Sequence, residues 1–237
     1  MSAASATIPH WRKLLRPLDT LDLLAAARDL SVPPPDIPLP PGVAARPATS
    51  ADMPHLAAVM EPYRAEIWDF RGEGALVATF EQRLRAGDLC LIGELRGTIA
   101  YMGWTRFDEA SLQRVGIHVT LREGEAYGYG VFALPAFRGQ GLSTTVGVAR
   151  LHWLREHGVR RFYGWVSASN TAIQKVQTRL GYRTVASVRQ IYWRVRRRLV
   201  LVNQVIYDPR DPLAEWCAPG RITFRGGITL FRRGPGP

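Results

Sequence analysis

Cysteine, lysine and long apolar runs are all scarce in this chain of 237 residues. Its two cysteines, Cys90 and Cys217, do not predict a disulfide framework or a zinc knuckle, and its five histidines form no metal-binding motif. A metal is therefore not expected. No window approaches the roughly 18 consecutive apolar residues of a membrane-spanning helix, and the first residues lack a secretory pattern. These absences predict a cytoplasmic protein without a membrane span.

Acidic residues are scarce in only one half of the chain. Residues 1–125 carry 13 Lys and Arg against 16 Asp and Glu, whereas residues 126–237 carry 18 against 4, a net charge of +14. A one-sided basic half attracts a polyanion. The candidates are nucleic acid, an anionic membrane and a phosphorylated cofactor.

The segment at 1–41 is predicted to be a helical appendage with a proline-rich spacer. Apolar residues within Leu14–Ala25 recur three or four positions apart, on one face of a helix. Pro17 suits the first turn of a helix that begins near Leu18. Six of the nine residues at 33–41 are prolines, which predicts a stiff, extended spacer.

Strands and helices alternate from Val43 onward. Turn signals predict three hairpins, and helical and strand periodicities alternate after the second one. The hairpin turns are at 95–97, 122–124 and 226–227, the later helices at 142–157 and 171–180, and the later strands at 161–166, 182–197 and 199–206. This order predicts an α+β domain with a mixed sheet at 42–198, extended at 199–237 by a strand and a hairpin.

The segment that is most informative about function joins a strand to a helix through two glycines. The strand ends at Pro135, Gly139 and Gly141 follow, and the helix starts at Leu142. Free amides at a helix N-terminus, approached closely past glycines, form a site suited to a pyrophosphate. Arg138 adds a fixed positive charge. The alternative, from the residues alone, is a glycine turn that only caps a helix.

Three segments, in the right order, resemble the GNAT superfamily of acyl-CoA-dependent N-acyltransferases. Residues 138–143 (Arg-Gly-Gln-Gly-Leu-Ser) resemble its R/Q-x-x-G-x-G/A pyrophosphate loop. Asn170, followed by Leu180-Gly181-Tyr182 (residues 180–182), resembles its V-x-x-x-N … L-G-F/Y segment, and residues 44–52 resemble its opening R-x-A-T-x-x-D strand and helix. The resemblance covers roughly residues 43–197.

The sequence departs from the family pattern at two positions. Ser143 stands where Gly or Ala is usual, but it is small enough to preserve the close approach. Gln177 stands where family members often carry a Tyr that protonates the departing CoA thiolate. Glutamine cannot act as an acid, which puts that role in doubt but not acyl-CoA binding.

The resemblance implies a mostly antiparallel, twisted sheet with a central splayed parallel pair, flanked by helices. The pair would be the strands at 125–134 and 161–166, with the pantetheine arm in the gap and a main-chain N–H at a bulge holding the thioester carbonyl. The co-substrate would be acetyl-CoA or another acyl-CoA, attacked directly by a primary amine in a ternary complex. The residues expected to bind it are Val131, Phe132, Ala133, Arg138, Gly139, Gln140, Gly141, Leu142, Ser143 and Asn170.

Glu125 and Tyr127 are the candidate catalytic residues. Glu125 is the only carboxylate on the strand face that leads to Val131, and family members often carry the general base on this strand. The distance to Val131 favours a water relay past Tyr127 and Tyr129 over direct contact. The alternative is that Glu125 is an exposed turn residue. Weaker candidates for the acceptor side are Trp68, Asp69, Glu73, Trp165, Ser167 and Ser169.

Two other function classes stay open at this point. A non-catalytic acyl-CoA sensor is suggested by Gln177 and by the appendage. Nucleic-acid binding is suggested by the basic half and by the interleaved Trp and Arg of residues 193–198. The sequence names no acceptor amine and leaves a homodimer open.

Overall fold

The computed structural model describes residues 17–67, 74–112, 115–195 and 198–234. Within these ranges the α-helices are α1 (Met53–Met60), α2 (Leu76–Arg85), α3 (Leu142–Glu156) and α4 (Thr171–Arg179). The strands are β1 (Pro17–Asp29), β2 (Val43–Pro47), β3 (Leu89–Leu95), β4 (Thr98–Arg106), β5 (Glu109–Leu112), β6 (Ile117–Thr120), β7 (Glu125–Ala133), β8 (Arg161–Ser167), β9 (Arg183–Val195), β10 (Arg198–Tyr207), β11 (Ile222–Phe224) and β12 (Ile228–Arg233).

The strands of the described residues form a large mixed sheet and a small antiparallel one. The large sheet has the order β12-β10-β9-β1-β8-β7-β4-β3-β2, and the small sheet has the order β11-β6-β5. Neighbouring strands are antiparallel except at β7–β8 and β10–β12, which are parallel. The predicted α+β class with a central parallel pair is therefore confirmed.

The prediction of a helix beginning near Leu18 is wrong. Pro17–Asp29 is strand β1, which lies between β8 and β9 and is antiparallel to both. Its run Leu23–Ala27 is buried on both faces, apart from a half-buried Leu24. Alanine and leucine favour a helix locally, but pairing on both edges and burial outweigh that propensity. Residues 1–16 lie outside the described ranges, and the domain boundaries at 41 and 198 stay predictions.

Two of the three predicted hairpins are also wrong. The first is confirmed: β3 and β4 pair across Arg96 and Gly97, both with positive φ, as a two-residue hairpin turn requires. The turn at 122–124 instead carries the chain from the small sheet into the large one. The glycines at 226–227 likewise separate β11, which pairs with β6, from β12, which pairs with β10. Turn residues predict a change of direction but not the sheet in which the next strand pairs.

Apolar packing holds the helices to the large sheet. Phe80 of α2 packs against Trp104 of β4, with 5.4 Å between ring centroids. Leu151 and Leu154 of α3 share a second buried cluster with Phe162 of β8. These contacts place α2 against β4 and α3 against the start of β8.

Ion pairs and hydrogen bonds of the opening motif at 44–52 connect β2 to the helical segment that leads into α1. Arg46 binds Asp52 at 2.8 Å and Glu94 at 2.8 Å. Asp52 also accepts hydrogen bonds from the amide and the hydroxyl of Thr49. The hydrogen bond from Arg46 is the main reason that the pKa of Asp52 lies well below its usual range. The motif therefore positions the first helix against the sheet.

Candidate acyl-CoA site

The parallel strands β7 and β8 pair over four positions and then part. The last paired residues are Gly128 and Gly164, yet β7 continues to Ala133 and β8 continues to Ser167. At Gly128 an added Cβ would lie 2.7 Å from the Phe162 ring, so only glycine fits where the strands separate. The predicted splay is present at the predicted pair of strands.

A β-bulge distorts β7 just beyond the point of separation. Trp104 of β4 faces Tyr129, and Met102 faces Phe132, so Gly103 alone lies opposite the two residues Gly130 and Val131. Gly130 has a φ of 54°. A bulge of this kind interrupts the ladder and redirects main-chain groups. It occurs at the position where the family resemblance implies a main-chain donor for a thioester carbonyl.

A cavity of about 380 Å³ occupies the gap between the parted strands. Main-chain and side-chain groups of Tyr127–Phe132 line one wall, and residues 163–167 line the opposite wall. Ser143, Asn170 and Gln177 line the side formed by the helices. The cavity therefore runs from the first turn of α3, at Ser143, to the bulge at Gly130 and Val131.

The glycine loop has the backbone that its sequence predicts. Gly139 and Gly141 have φ values of 77° and 80°, which side chains rarely tolerate. Gly141 caps α3, and its carbonyl accepts hydrogen bonds from the amides of Thr144 and Thr145. The amides of Leu142 and Ser143 precede these in the first turn, at the positive end of the helix dipole. This geometry suits a phosphate group.

Arg138, the first residue of the loop, contacts Glu66, a residue that lines the cavity. Its Nε donates to the carbonyl of Ala133 at 3.1 Å, and its Nη2 lies 3.3 Å from Glu66. Both side chains of this ion pair are about half exposed (50% and 54%), so the pair is worth little. An anionic ligand can therefore compete for the guanidinium.

Asn170 is the N-cap of α4 and lines the cavity. Its Oδ1 accepts a hydrogen bond from the amide of Ile173 at 3.2 Å. Gln177 lines the cavity two turns further along α4. Of the predicted CoA-binding residues, Val131, Phe132, Ser143 and Asn170 line the cavity, whereas Ala133 and residues 138–142 do not. Their CoA-binding role stays a prediction.

Glu125 lies at the start of β7 and is buried in a network of donors. Arg221 forms an ion pair with its carboxylate at 2.5 Å, Tyr163 donates a hydrogen bond at 2.9 Å, and the amide of Arg122 donates another at 2.9 Å. Burial alone would raise the pKa of Glu125, but these hydrogen bonds hold that pKa below its usual value. It is therefore not the exposed turn residue of the alternative interpretation.

These contacts favour a structural role for Glu125 over that of a general base. A carboxylate that is already neutralised by a guanidinium is a weak proton acceptor. Its one connection to the cavity among the described contacts is Tyr163, which lines the wall formed by β8. Its role as a base stays a prediction.

Tyr127 and Tyr129 lie side by side on the cavity wall. Their rings stack with centroids 5.9 Å apart. The Tyr129 hydroxyl donates a hydrogen bond to Asp88, which also binds Arg106 at 3.0 Å. Burial is the main reason that the pKa of Tyr129 is raised above its usual value. Tyr129 therefore stays protonated and serves as a fixed donor.

Sequence reasoning missed three residues of this site: Asp88, Arg150 and Tyr163. Asp88 precedes β3 and gave no motif, and Tyr163 was treated only as part of a strand. Arg150 lies on the buried face of α3, where an arginine among apolar residues is the one signal that could have marked it. Of the weaker candidates, Trp165 and Ser167 line the cavity. Trp68, Asp69 and Glu73 lie outside the described residues.

The described residues contain neither a cluster of three potential metal-ligating side chains nor a helix long and apolar enough to cross a membrane. The basic segment at 193–198 is described only in part: its strands are β9 and β10, and Arg196 and Arg197 lie outside the described ranges.

A parallel pair that parts beside a glycine loop and a helix N-terminus is the arrangement that the resemblance implied, that of the α+β acyltransferases. The chain belongs to the Acetyltransferase (GNAT) family, whose model matches residues 55–182. The chain is thus a member of an acetyltransferase family, and that family uses acetyl-CoA.

Individual relatives are more distant. Over 91 residues the chain is 34% identical to a mycothiol acetyltransferase of Amycolatopsis mediterranei, a match that covers 38% of this chain and 29% of the relative. A GCN5-related N-acetyltransferase from Sphaerobacter thermophilus superposes with a TM-score of 0.54 at 18% identity, over 76% of this chain and 54% of the other. A GNAT-family protein from Novosphingobium aromaticivorans superposes with a TM-score of 0.50 at 18% identity, over 75% of this chain and 66% of the other. The chain thus spans less than a third of the curated relative that it matches.

Proposed function

We propose that this chain transfers an acyl group, acetyl or another, from acyl-CoA to a primary amine by direct attack in a ternary complex. The observation that carries the proposal is the parting of β7 and β8 beyond Gly128 and Gly164, with a cavity that runs from the first turn of α3 to the bulge. A pantetheine arm is narrow and extended, and it fits a gap between two strands.

The loop and the bulge would hold the two ends of the donor. The amides of residues 139–143 would bind the pyrophosphate at the start of α3, and Arg138 would exchange Glu66 for a phosphate oxygen. Main-chain groups of Val131–Ala133 would pair with the pantetheine amides as a neighbouring strand does. A main-chain donor at the bulge would stabilise the oxyanion that forms as the amine attacks.

Proton transfer would occur on the tyrosine-lined wall. The attacking amine must be neutral, so its proton must pass to a base or to water. Tyr127 lines the cavity near the bulge and would order the water that receives this proton. Glu125 would connect to that water through Tyr163 rather than through Tyr127, because Tyr163 is the tyrosine whose hydroxyl it binds.

The departing thiolate would leave without a tyrosine acid at the α4 position. Gln177 lines the cavity there and can donate a hydrogen bond from its amide, but it cannot give up a proton. Solvation and hydrogen bonding would therefore stabilise the thiolate, which is a competent leaving group at neutral pH.

The second candidate function is an acyl-CoA sensor, and Gln177 is the observation that favours it. The experiment that separates the two combines a calorimetric titration of CoA with an assay of CoA release from several acyl-CoAs across a panel of primary amines. Amine-dependent CoA release supports the enzyme. Tight binding without turnover for any amine supports the sensor, and absence of CoA binding contradicts both.

A further inference from the structure

Arg150 of α3 is a buried cation whose side chain lines the cavity. It is 6% exposed, and its guanidinium lies over the Phe162 ring at 5.0 Å from the centroid. An added Cβ at Gly103 would lie 2.8 Å from its Nη1 and 3.2 Å from the Tyr101 hydroxyl. The absence of a side chain at Gly103 thus leaves room for these two polar groups.

The guanidinium of Arg150 lacks an acid partner within the part of the chain that the structure describes. Its Nε and Nη1 are buried and have no hydrogen-bond partner there. The Tyr101 and Tyr182 hydroxyls lie nearby, and burial raises the pKa of both, so both are neutral. A buried charge without a counter-ion is costly. Two guanidinium donors and two hydroxyls around one cavity wall provide a ready site for an anion.

The anion that fits here is not the pyrophosphate of CoA. Arg150 lies eight residues after Leu142, about 12 Å along the helix axis from the glycine loop. It lies instead against Gly103, the single residue of β4 opposite the bulge at Gly130 and Val131. A thioester held at the bulge would therefore direct its acyl chain, not its nucleotide, toward Arg150.

We propose that Arg150, with the hydroxyls of Tyr101 and Tyr182, binds a carboxylate at the far end of the acyl group, so that the preferred donor is the CoA monothioester of a short dicarboxylic acid. The inference rests on the proposed function and narrows its donor. The carboxylate of such a ligand would be the counter-ion that Arg150 lacks. An acetyl group has no carboxylate, so water would fill the cavity around Arg150 instead.

The test uses two stable thioether analogues of equal size, S-carboxypropyl-CoA and S-carbamoylpropyl-CoA, and free CoA as the reference. Isothermal titration should show that the wild-type chain binds the carboxylate analogue at least about tenfold more tightly than the neutral amide, the effect expected of a charge-assisted hydrogen bond. Arg150→Met should abolish this preference and leave affinity for free CoA unchanged. Arg155→Met, at an exposed arginine of the same helix, is the matched control and should retain the preference.

Three results would overturn the inference. Equal affinities of the wild type for both analogues, with free CoA binding normally, contradict the carboxylate site but leave the proposed function intact. An equal loss for all three ligands in Arg150→Met assigns Arg150 to the pantetheine arm instead. Failure of the wild type to bind free CoA contradicts the proposed function itself. If Arg150→Met does not fold, Tyr182→Phe replaces it and should reduce the same preference.

Discussion

Glu125 and Arg221 depend on each other because both are buried. Their side chains are 4% and 10% exposed, so removing the charge of one leaves the other without its partner inside the protein. Glu125→Gln should lower the free energy of unfolding by about 3 kcal/mol, measured by urea denaturation. Glu215→Gln is the matched control, because Glu215 pairs with Arg122 on the surface. This substitution should lower the free energy of unfolding by about 1 kcal/mol or less. Equal losses in both variants would contradict the structural role.

The same variant tests the role of Glu125 as a base. Relayed base catalysis contributes roughly 10²–10⁴-fold, and such a loss in kcat/KM should shrink at high pH, where the acceptor amine is already neutral. A loss that does not vary with pH indicates only a structural effect. Turnover equal to wild type across the pH profile removes Glu125 from the proton path.

Gly141 is the residue at which the pyrophosphate site is most directly tested. An added Cβ there meets nothing within 4 Å, so a large side chain would project into the space where the phosphate should lie. Gly141→Trp should abolish CoA binding in calorimetry while leaving the circular dichroism spectrum unchanged. Gly141→Ala is the control for backbone strain, since it shares the unfavourable φ but lacks the bulk, and it should retain part of the affinity. Unchanged affinity in Gly141→Trp would show that the loop does not bind CoA.

Strand β1 is the element on which the stability of the large sheet depends most directly. It pairs along both edges, with β8 and with β9, and Ala25 and Ala27 are fully buried. A chain that begins at Pro41 should therefore fail to fold, because it leaves two strand edges unpaired in the middle of the sheet. Thermal melting followed by circular dichroism measures this. The control begins at Pro17 and retains β1, so any difference between the two belongs to 17–40. A cooperative transition in the shorter chain would show that β1 is dispensable.

How far the sequence predicts each element depends on where its partners lie. The loop from Arg138 to Ser143 was predictable because its glycines, the capped helix and the positive charge are all local features. Strand β1 was not, since its identity depends on β8 and β9, which follow it by more than a hundred residues. The pairing of Glu125 with Arg221 was hidden for the same reason, as the two are 96 positions apart.

The whole molecule should lose stability in acid through its paired carboxylates. The pKa of Glu125 is lowered in the folded state from an ordinary value of 4.5, so the unfolded chain binds this proton first as pH falls. Its contribution is therefore complete above about 4.5 and is lost as the pH falls through the lower, folded-state pKa. Melting temperatures of the wild type and Glu125→Gln should differ at pH 7 and converge in acid. A constant difference down to pH 3 would show that this ion pair does not contribute to acid sensitivity.

The central place of β1 also determines the order in which the protein can form during synthesis. Leu24 of β1 pairs with Val166 and with Ser187, so this strand emerges from the ribosome long before either partner exists. Until β8 is made, at residue 167, an apolar segment that belongs in the middle of the sheet has neither of its neighbouring strands, and until β9 is made, at residue 195, one of its two edges stays unpaired. The pairing of β1 along both edges is therefore a late, non-local step. Such a step makes folding slow and leaves an aggregation-prone apolar strand exposed. Ribosome-bound chains that end before β9 should therefore be cut readily within residues 17–29 by added protease, and chains that include β10 and have cleared the exit tunnel should resist.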